Sequence, residues 1–499
     1  MATNRERLHF LAQQLKEGRY GDILHLAAGK LGINSGEQLR PADRATSRFH
    51  NHKQQAISSF LGFLEGGSQP QWPLEVFIEV SNLCDLQCAM CHTFSALNPK
   101  RFNIISNRHR GFFNTDLIER RMGKALEHAL VVHAFGYGEP TLHPEFTRLL
   151  EILDKYEVMV DFFTHGMHLD EELCEDLVNK RISKITVSFS GSNREDYENI
   201  YIGGEFDKVL AGIQRLHKHK LRQQTEFPLI VINSLAFKHH VARLPEFVRM
   251  MGEAGANVIH LKPFKTYDII QELHGHASVH HPEREGSILQ EARRIAAEYG
   301  IRLESADYES DMDDDTVLQS RHMGSRALSR QTIPIGQLKN IAREKREHGG
   351  LGEKAAGKIG IQIPHKDEVE YRHHGGMYCM EPFKTLYFGY EGAAYPCCYK
   401  HIMWGDIKTQ QAHEIWQSDL MHSLRGHVVR QEYPVDLCHG CIKTGLYPKG
   451  NAARMYSIHY ARWYEDRFGT TFYPKLLEKV RALPDSKEIF SALTGAISG

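Results

Sequence analysis

The chain has no run of about 18 apolar residues, so no membrane-spanning helix is expected. Its first residues, Met1-Ala2-Thr3-Asn4-Arg5-Glu6-Arg7, carry no apolar core of a secretory signal, so a cytoplasmic setting is expected. Charge of one sign is lacking too: 61 Lys and Arg stand against 62 Asp and Glu, a net charge of -1. That balance gives no footprint for nucleic acid or for a membrane surface, and neither partner is expected. Cysteine is scarce, with 9 in 499 residues, an odd number in uneven clusters. Such usage argues against a disulfide framework and for a reducing compartment in which the thiols hold metal. Histidine is not scarce, at 31 residues, but it is scattered. The pairs His239-His240, His280-His281 and His373-His374 have no second ligand pattern and read as solvated surface.

What remains is an ordinary globular composition, 41% hydrophobic, long enough for ample cores. Residues 1–72 read as a helical N-terminal extension, with Leu8, Leu11 and Leu15 on one face and Ile57, Phe60, Leu61 and Leu64 on a later one. From residue 73 to 308, strands alternate with amphipathic helices. Strands are expected at 74–82, 130–137, 157–164, 184–190, 228–236 and 257–263. Helices are expected at Thr115–Ala129, Pro144–Tyr156, Asp170–Lys180, Phe206–Lys218, Leu244–Ala254 and Glu283–Tyr299. The strands are short, apolar and β-branched, as strands buried on both faces are. The alternation predicts an α/β fold built on a parallel sheet, either doubly wound or a partial barrel; both bind ligands at the C-terminal ends of their strands. Residues 309–371, with the acidic run Asp311-Met312-Asp313-Asp314-Asp315 and the basic, glycine-rich stretch Lys339–Lys358, read as a linker or surface insertion. Residues 372–450 form a second cysteine-rich region, and 451–499 read as C-terminal helices.

The chemistry concentrates after the first strand, where Cys84, Cys88 and Cys91 are spaced C-x3-C-x2-C. Three thiolates on one short loop can hold three irons of a 4Fe–4S cluster and leave the fourth iron open to a substrate or cofactor. Gly136-Tyr137-Gly138-Glu139-Pro140 ends the second strand. This combination resembles the radical S-adenosylmethionine (SAM) superfamily over roughly residues 74–300. The resemblance implies a partial (β/α)6 TIM-like barrel in which SAM chelates the open iron and is cleaved reductively to methionine and a 5′-deoxyadenosyl radical, which abstracts hydrogen from substrate. It also implies roles for individual residues. Gly136, Gly138 and Glu139 would bind the methionine amino group, with Tyr137 standing where relatives usually have glycine. Met90 would lie beside adenine, Ser188 or Ser190 would meet the SAM carboxylate or ribose, Asn233 the ribose, and the backbone at Leu261 the adenine. Thr164-His165-Gly166 ends the third strand, and His165 is either a substrate-facing catalytic group or part of a turn.

Cys379, Cys397, Cys438 and Cys441, with Gly405-Asp406-Ile407, Glu414-Ile415-Trp416 and Leu424-Arg425 between them, resemble a SPASM/twitch domain. Four thiolates suit a fully ligated auxiliary 4Fe–4S cluster and equally a structural zinc; the attached barrel favours iron–sulfur. Cys398 is left over, as an alternative ligand to Cys397, a buried thiol or a catalytic hydrogen donor, and Cys174 reads as core. A closed auxiliary cluster suits a radical SAM oxidoreductase that passes a substrate electron onward, or an epimerase-type enzyme, acting on a small polar carbohydrate- or nucleotide-like substrate. The alternatives are a maturase that crosslinks or epimerises a ribosomal peptide, and a non-catalytic iron–sulfur electron-transfer or scaffold protein. A flavodoxin- or ferredoxin-type reductant is the partner this resemblance implies.

Overall fold

The computed structural model describes residues 48–64, 68–98, 110–264, 270–305, 335–348, 379–397 and 403–429, apart from the single or short gaps at 181, 274, 279–281 and 380. The expectations for the leucines of the first helix, the acidic run at 311–315, most of the basic stretch beyond 348, the His280-His281 and His373-His374 pairs and the C-terminal helices lie outside the described residues. Within them, no helix is long and apolar enough to cross a membrane.

The expected strands form. They are β1 (Glu75–Ile78), β2 (Val131–His133), β3 (Met159–Thr164), β4 (Lys184–Ser188), β5 (Leu229–Ala236) and β6 (Val258–Pro263), all paired in parallel and in chain order, with β7 (Arg302–Glu304) beyond. This is the expected α/β partial barrel. The sequence missed one extension. Strand β8 (Thr385–Phe388) pairs in parallel with the free edge of β1, and the antiparallel β9 (Ala393–Tyr395) and β10 (Gly405–Asp406) follow it, so one ten-stranded sheet runs β10-β9-β8-β1-β2-β3-β4-β5-β6-β7.

The crossover helices sit where the periodicity puts them, with one exception: α1 (His50–Leu64) before the sheet, then α2 (Gly123–His128), α3 (Phe146–Asp154), α4 (Glu171–Asn179), α5 (Arg194–Ile200), α6 (Phe206–Arg222), α7 (Leu244–Glu253) and α8 (Pro282–Tyr299). The exception is α5, a short helix after β4 that is not among the expected ones. Asp170 caps α4 by accepting from Leu173 N at 2.9 Å, as its position before Glu171-Glu172 predicts. The stretch expected to be helical from Thr115 instead opens with a π-helical turn at Ile118–Met122, and only then becomes the α-helix α2.

Strand alternation sorts β1 into two faces. Val76, Ile78 and Val80 are fully buried in the core. Glu75 and Phe77 turn to the other face, where they meet their neighbours across the sheet. Phe77 stacks on Tyr387 at 4.4 Å and meets Phe135 edge-on at 4.7 Å, and Phe135 reaches Phe163 at 4.6 Å. Beneath this aromatic layer runs a chain of buried charges. Lys384 Nζ lies 2.9 Å from Glu75, His133 bridges Glu75 at 3.4 Å and Asp161 at 2.7 Å, and Lys184 closes on Asp161 at 2.9 Å. Burial alone would neutralise Glu75, His133, Asp161 and Lys384, but each is held charged by its neighbours. Burial pushes the His133 pKa down, yet Asp161 and Glu75 outweigh it and raise the pKa to about 9. Burial pushes Glu75 up, and Lys384 and His133 bring it down to about 2.

A group with a raised folded pKa stabilises fully below its unfolded pKa and loses that contribution as pH rises through the folded value. His133 should therefore stabilise the fold below about pH 6.5 and cease to do so near pH 9. In urea titrations, the stability gap between the parent and His133→Gln should narrow by on the order of 3 kcal/mol across that window. The difference isolates His133 from Lys53 and Lys220, which burial brings down to about 7 and whose slopes have the opposite sign. A gap that stays constant with pH would show that His133 is not a buried imidazolium.

Candidate active site

The cysteine loop leaves the C-terminal end of β1 and is fixed by backbone hydrogen bonds on two sides. Gln87 N and Ala89 N donate to Ile202 O at 2.8 Å and Ile200 O at 2.7 Å, at and just past the end of α5. Opposite them, Gly138 N and Glu139 N donate to Ser81 O at 3.1 Å and Leu83 O at 2.7 Å, joining the loop to the Gly136–Pro140 turn. Cys84, Cys88 and Cys91 converge here as free, half-buried thiols. Burial pushes all three pKa values up, and Cys84 and Cys88 are raised further by the neighbouring cysteines. Such a set of thiols becomes thiolate when a cationic metal core sits among them. Phe94 N already points at Cys91 Sγ from 3.4 Å. The residues present fit a three-cysteine cluster.

The turn explains its own spelling. A Cβ on Gly136 would stand 2.2 Å from Glu79 Cγ, and one on Gly138 would stand 2.3 Å from Leu83 O. Both positions therefore exclude a side chain, whereas Tyr137 between them carries one; the departure from the usual glycine falls where the backbone leaves room.

Glu139 is buried and held from four directions. Oε1 accepts from Thr141 N at 3.1 Å, Thr141 Oγ1 at 2.6 Å and Thr164 Oγ1 at 2.8 Å, and Oε2 accepts from His165 N at 2.9 Å. His165 does not face open space: Nδ1 accepts from Met167 N at 3.1 Å, and Nε2 bonds Asp85 Oδ1 at 2.8 Å. These bonds tie the end of β3 to the cysteine loop through Asp85. Sequence reasoning missed Asp85 and His168. The carboxylate of Asp85, next to Cys84, also meets His168 Nε2 at 2.9 Å. Burial pushes Asp85 up, but hydrogen bonds from His165 and His168 hold it well below the usual carboxylate range.

Along the strand ends, register aligns Ser188, Asn233, His260 and Glu304 on neighbouring strands, and His260 bonds Glu304 at 2.5 Å. Ser188 and Asn233 are half-buried at this rim. Ser190 is placed differently: fully buried, it bonds Tyr201 Oη at 3.1 Å and accepts from Leu235 N at 2.9 Å. Leu261 is buried in the wall, and Met90 is half-buried at the loop. The reading of His239-His240 as solvated surface is overturned for His240. It is fully buried, with Nδ1 accepting from Gly191 N at 3.0 Å and Nε2 bonded to Ser234 Oγ at 2.6 Å. Cys174 is core, as expected.

Of the second cysteine set, Cys379 and Cys397 are half-buried. Cys398, Cys438 and Cys441 lie outside the described residues. The motifs between them are packing devices. A Cβ on Gly405 would reach 2.7 Å from Ile415 Cγ1, Trp416 Nε1 donates to Pro70 O at 3.1 Å, and Arg425 lies 3.9 Å over the Trp416 ring while donating to Pro382 O at 2.8 Å. These contacts dock the helix Ala412–Trp416 onto the segment that enters β1 and tie the following helix, Asp419–Val429, to it and to Pro382.

Comparison with known proteins agrees with this geometry. The Radical SAM superfamily profile matches residues 78–238, and the SPASM iron-sulfur cluster-binding domain matches residues 379–442. These matches mark a radical SAM domain and a C-terminal SPASM domain within the chain; the first implies a SAM-binding 4Fe–4S cluster and SAM, the second auxiliary iron–sulfur clusters. It is 24% identical over 210 residues to the tungsten-containing aldehyde ferredoxin oxidoreductase cofactor-modifying protein of Pyrococcus furiosus, covering 40% of this chain and 55% of that one. It is 25% identical over 210 residues to the mycofactocin maturase MftC of Mycobacterium tuberculosis, covering 40% and 48%. It is 22% identical over 200 residues to the PqqA peptide cyclase of Bradyrhizobium diazoefficiens, covering 39% and 47%. The matched region spans about half the length of these curated relatives. Among solved structures, Streptococcus suis SuiB bound to S-adenosylmethionine aligns with a TM-score of 0.43 and 14% identity over 80% of this chain and 79% of that one.

Two variants test the turn. Gly138→Ala should displace the Leu83 backbone and with it Cys84, so the purified protein should lose roughly half of its iron and its cluster absorbance, while Tyr137→Gly should keep both. Equal iron in the two variants would show that the turn does not brace the loop. Separately, total iron of about eight per chain should fall to about four when Cys84, Cys88 and Cys91 are all replaced by alanine. A parent value near four, with zinc present, would assign zinc to the C-terminal cysteines.

Proposed function

We propose that the protein is a radical SAM maturase that modifies a ribosomally made peptide, with one auxiliary 4Fe–4S cluster beside the SAM-binding one. The observation that carries this reading is the coupling of the Cys84–Cys91 loop to the Gly136–Pro140 turn in a chain that also bears an SPASM domain. The maturase and the peptide cyclase among its relatives favour a peptide over the carbohydrate- or nucleotide-like substrate that the sequence first suggested.

Cys84, Cys88 and Cys91 would hold the cluster, and Cys379, Cys397, Cys438 and Cys441 the auxiliary one. When bound, the open cluster and SAM supply a 5′-deoxyadenosyl radical able to remove hydrogen from an unactivated carbon. The chain's own residues orient the reactants. Glu139, pinned by Thr141, Thr164 and His165, would receive the SAM ammonium beside the backbone of Gly136 and Gly138. Ser188 and Asn233 stand at the rim for ribose or carboxylate contacts, Met90 and the Leu261 backbone for adenine, and Cys398 for hydrogen donation. Ser190 would act through Tyr201, and not on SAM directly. A flavodoxin or ferredoxin would supply the electron.

Anaerobic reconstitution with dithionite and SAM should yield 5′-deoxyadenosine. Formation should rise when a short peptide encoded beside the gene is added, and that peptide should lose two hydrogens or take up solvent deuterium. Glu139→Gln should cut turnover by roughly 10- to 150-fold through loss of a charge-assisted hydrogen bond worth about 1.5–3 kcal/mol. Stimulation by sugar or nucleotide derivatives and not by peptides would overturn the substrate class. Failure to form 5′-deoxyadenosine at full iron loading would overturn the activity itself.

A further inference from the structure

Glu139 and Asp85 both stand beside the cluster loop, and the SAM ammonium would neutralise only Glu139. Asp85 follows Cys84 directly. A carboxylate oxygen of Asp85, a ring nitrogen of His165 and Cys84 Sγ all lie within 4.8 Å of one another. Both Asp85 oxygens are engaged: Oδ1 meets His165 Nε2 at 2.8 Å, and Oδ2 meets His168 Nε2 at 2.9 Å.

The proton between Asp85 and His165 can be placed. His165 Nδ1 accepts from Met167 N at 3.1 Å, so Nδ1 carries a lone pair and the ring proton sits on Nε2. His165 is therefore a neutral imidazole that donates to Asp85. It orients the carboxylate without offsetting its charge. Glu139 Oε2 stands on the other side of the same ring nitrogen, 3.4 Å away, so His165 lies between the carboxylate that would take the SAM ammonium and the one beside Cys84.

We infer that Asp85 is a positioning residue that sets the reduction potential of the cluster held by Cys84, Cys88 and Cys91. Its carboxylate, fixed within reach of Cys84 Sγ by His165 and His168, disfavours the added electron and so makes the reduced cluster a stronger reductant. The cause is Coulombic: an electron placed near a fixed negative charge costs energy, and the potentials of such clusters follow nearby charge, hydrogen bonding and solvent exposure. The Asp85 side chain is 39% exposed, so water and salt weaken the effect without removing it. The inference rests on the cluster assignment and is independent of the substrate.

The test is a mediated redox titration of the full, reconstituted chain, followed by electron paramagnetic resonance, first without SAM and then with it. The signal missing from the Cys84/Cys88/Cys91→Ala triple variant identifies the cluster concerned. Asp85→Asn removes the charge but keeps an acceptor oxygen for His165 and gives an amide that can donate to His168. Its iron content should equal the parent's, and its one-electron reduction equilibrium should shift about tenfold toward the reduced cluster, about 59 mV upward. The shift should persist with SAM bound, and the auxiliary signal should not move. Asp85→Glu keeps the charge and should stay close to the parent. An unchanged potential in Asp85→Asn at full iron overturns the proposal. So does an equal shift in Asp85→Glu, or loss of iron from Asp85→Asn, either of which would make Asp85 a structural brace only. Iron analysis of the parent separates these results from a failure of the cluster assignment itself, which would show as missing iron before any substitution.

Discussion

The site hangs on the carboxylate of Glu79. Fully buried just past the end of β1, it accepts from Tyr137 N at 3.3 Å with one oxygen and from Tyr390 N at 3.1 Å with the other. One side chain thereby joins the turn that carries Glu139 to the hairpin of the SPASM domain. Gly136 is glycine because Glu79 occupies the space its side chain would need. A carboxylate in such a position is tolerated because each oxygen receives a backbone donor, so its desolvation is offset. If Glu79 were lost, both amides would be left without an acceptor inside the fold.

The same logic extends down the sheet. Parallel strands buried on both faces ordinarily carry apolar residues throughout. Here Glu75, His133, Asp161 and Lys184 occupy successive strands, and Lys384 approaches from beside β8. A charge of one sign in this layer would be expensive; alternating signs make each residue the counter-ion of the next. The arrangement also fixes register. A one-residue slip of β1 would turn Glu75 into the apolar core and leave His133 with Asp161 alone and Lys384 with Glu381 alone.

Much of this was legible in the residues. The cysteine spacing gave the cluster loop, the periodicity gave six strands within a few residues, and the Gly136–Pro140 turn was placed by its position one strand after the loop. What was not legible depends on contacts distant in sequence. Nothing local marks Thr385–Phe388 as the neighbour of β1, since the pairing joins residues 310 apart and Thr385 Oγ1 donates to Glu75. Ser188 and Ser190 look equivalent as sequence; burial against Tyr201 separates them. His240 looks like half of a polar pair, but strand-end packing encloses it between Gly191 and Ser234. Asp85 and His168 carried no spacing signal, because their meeting depends on the curvature that brings the third strand's end to the loop. The hint that was present lay in β1 itself, where Glu75, Phe77 and Glu79 recur every second residue and so share one face of a strand that otherwise reads as apolar.

The pairing of β8 with β1 also has a consequence for the order of biosynthesis. Until Phe388 has been made, β1 has a partner on one side only, and its other edge presents free backbone donors and acceptors to any strand it meets. The free edge of β1 is therefore covered late, by a segment more than three hundred residues downstream. Contacts of that separation form slowly, and the nascent chain stays exposed to misassociation for the whole interval. The hairpin that connects the two cluster-bearing regions is thus also the cap that ends the chain's most vulnerable period.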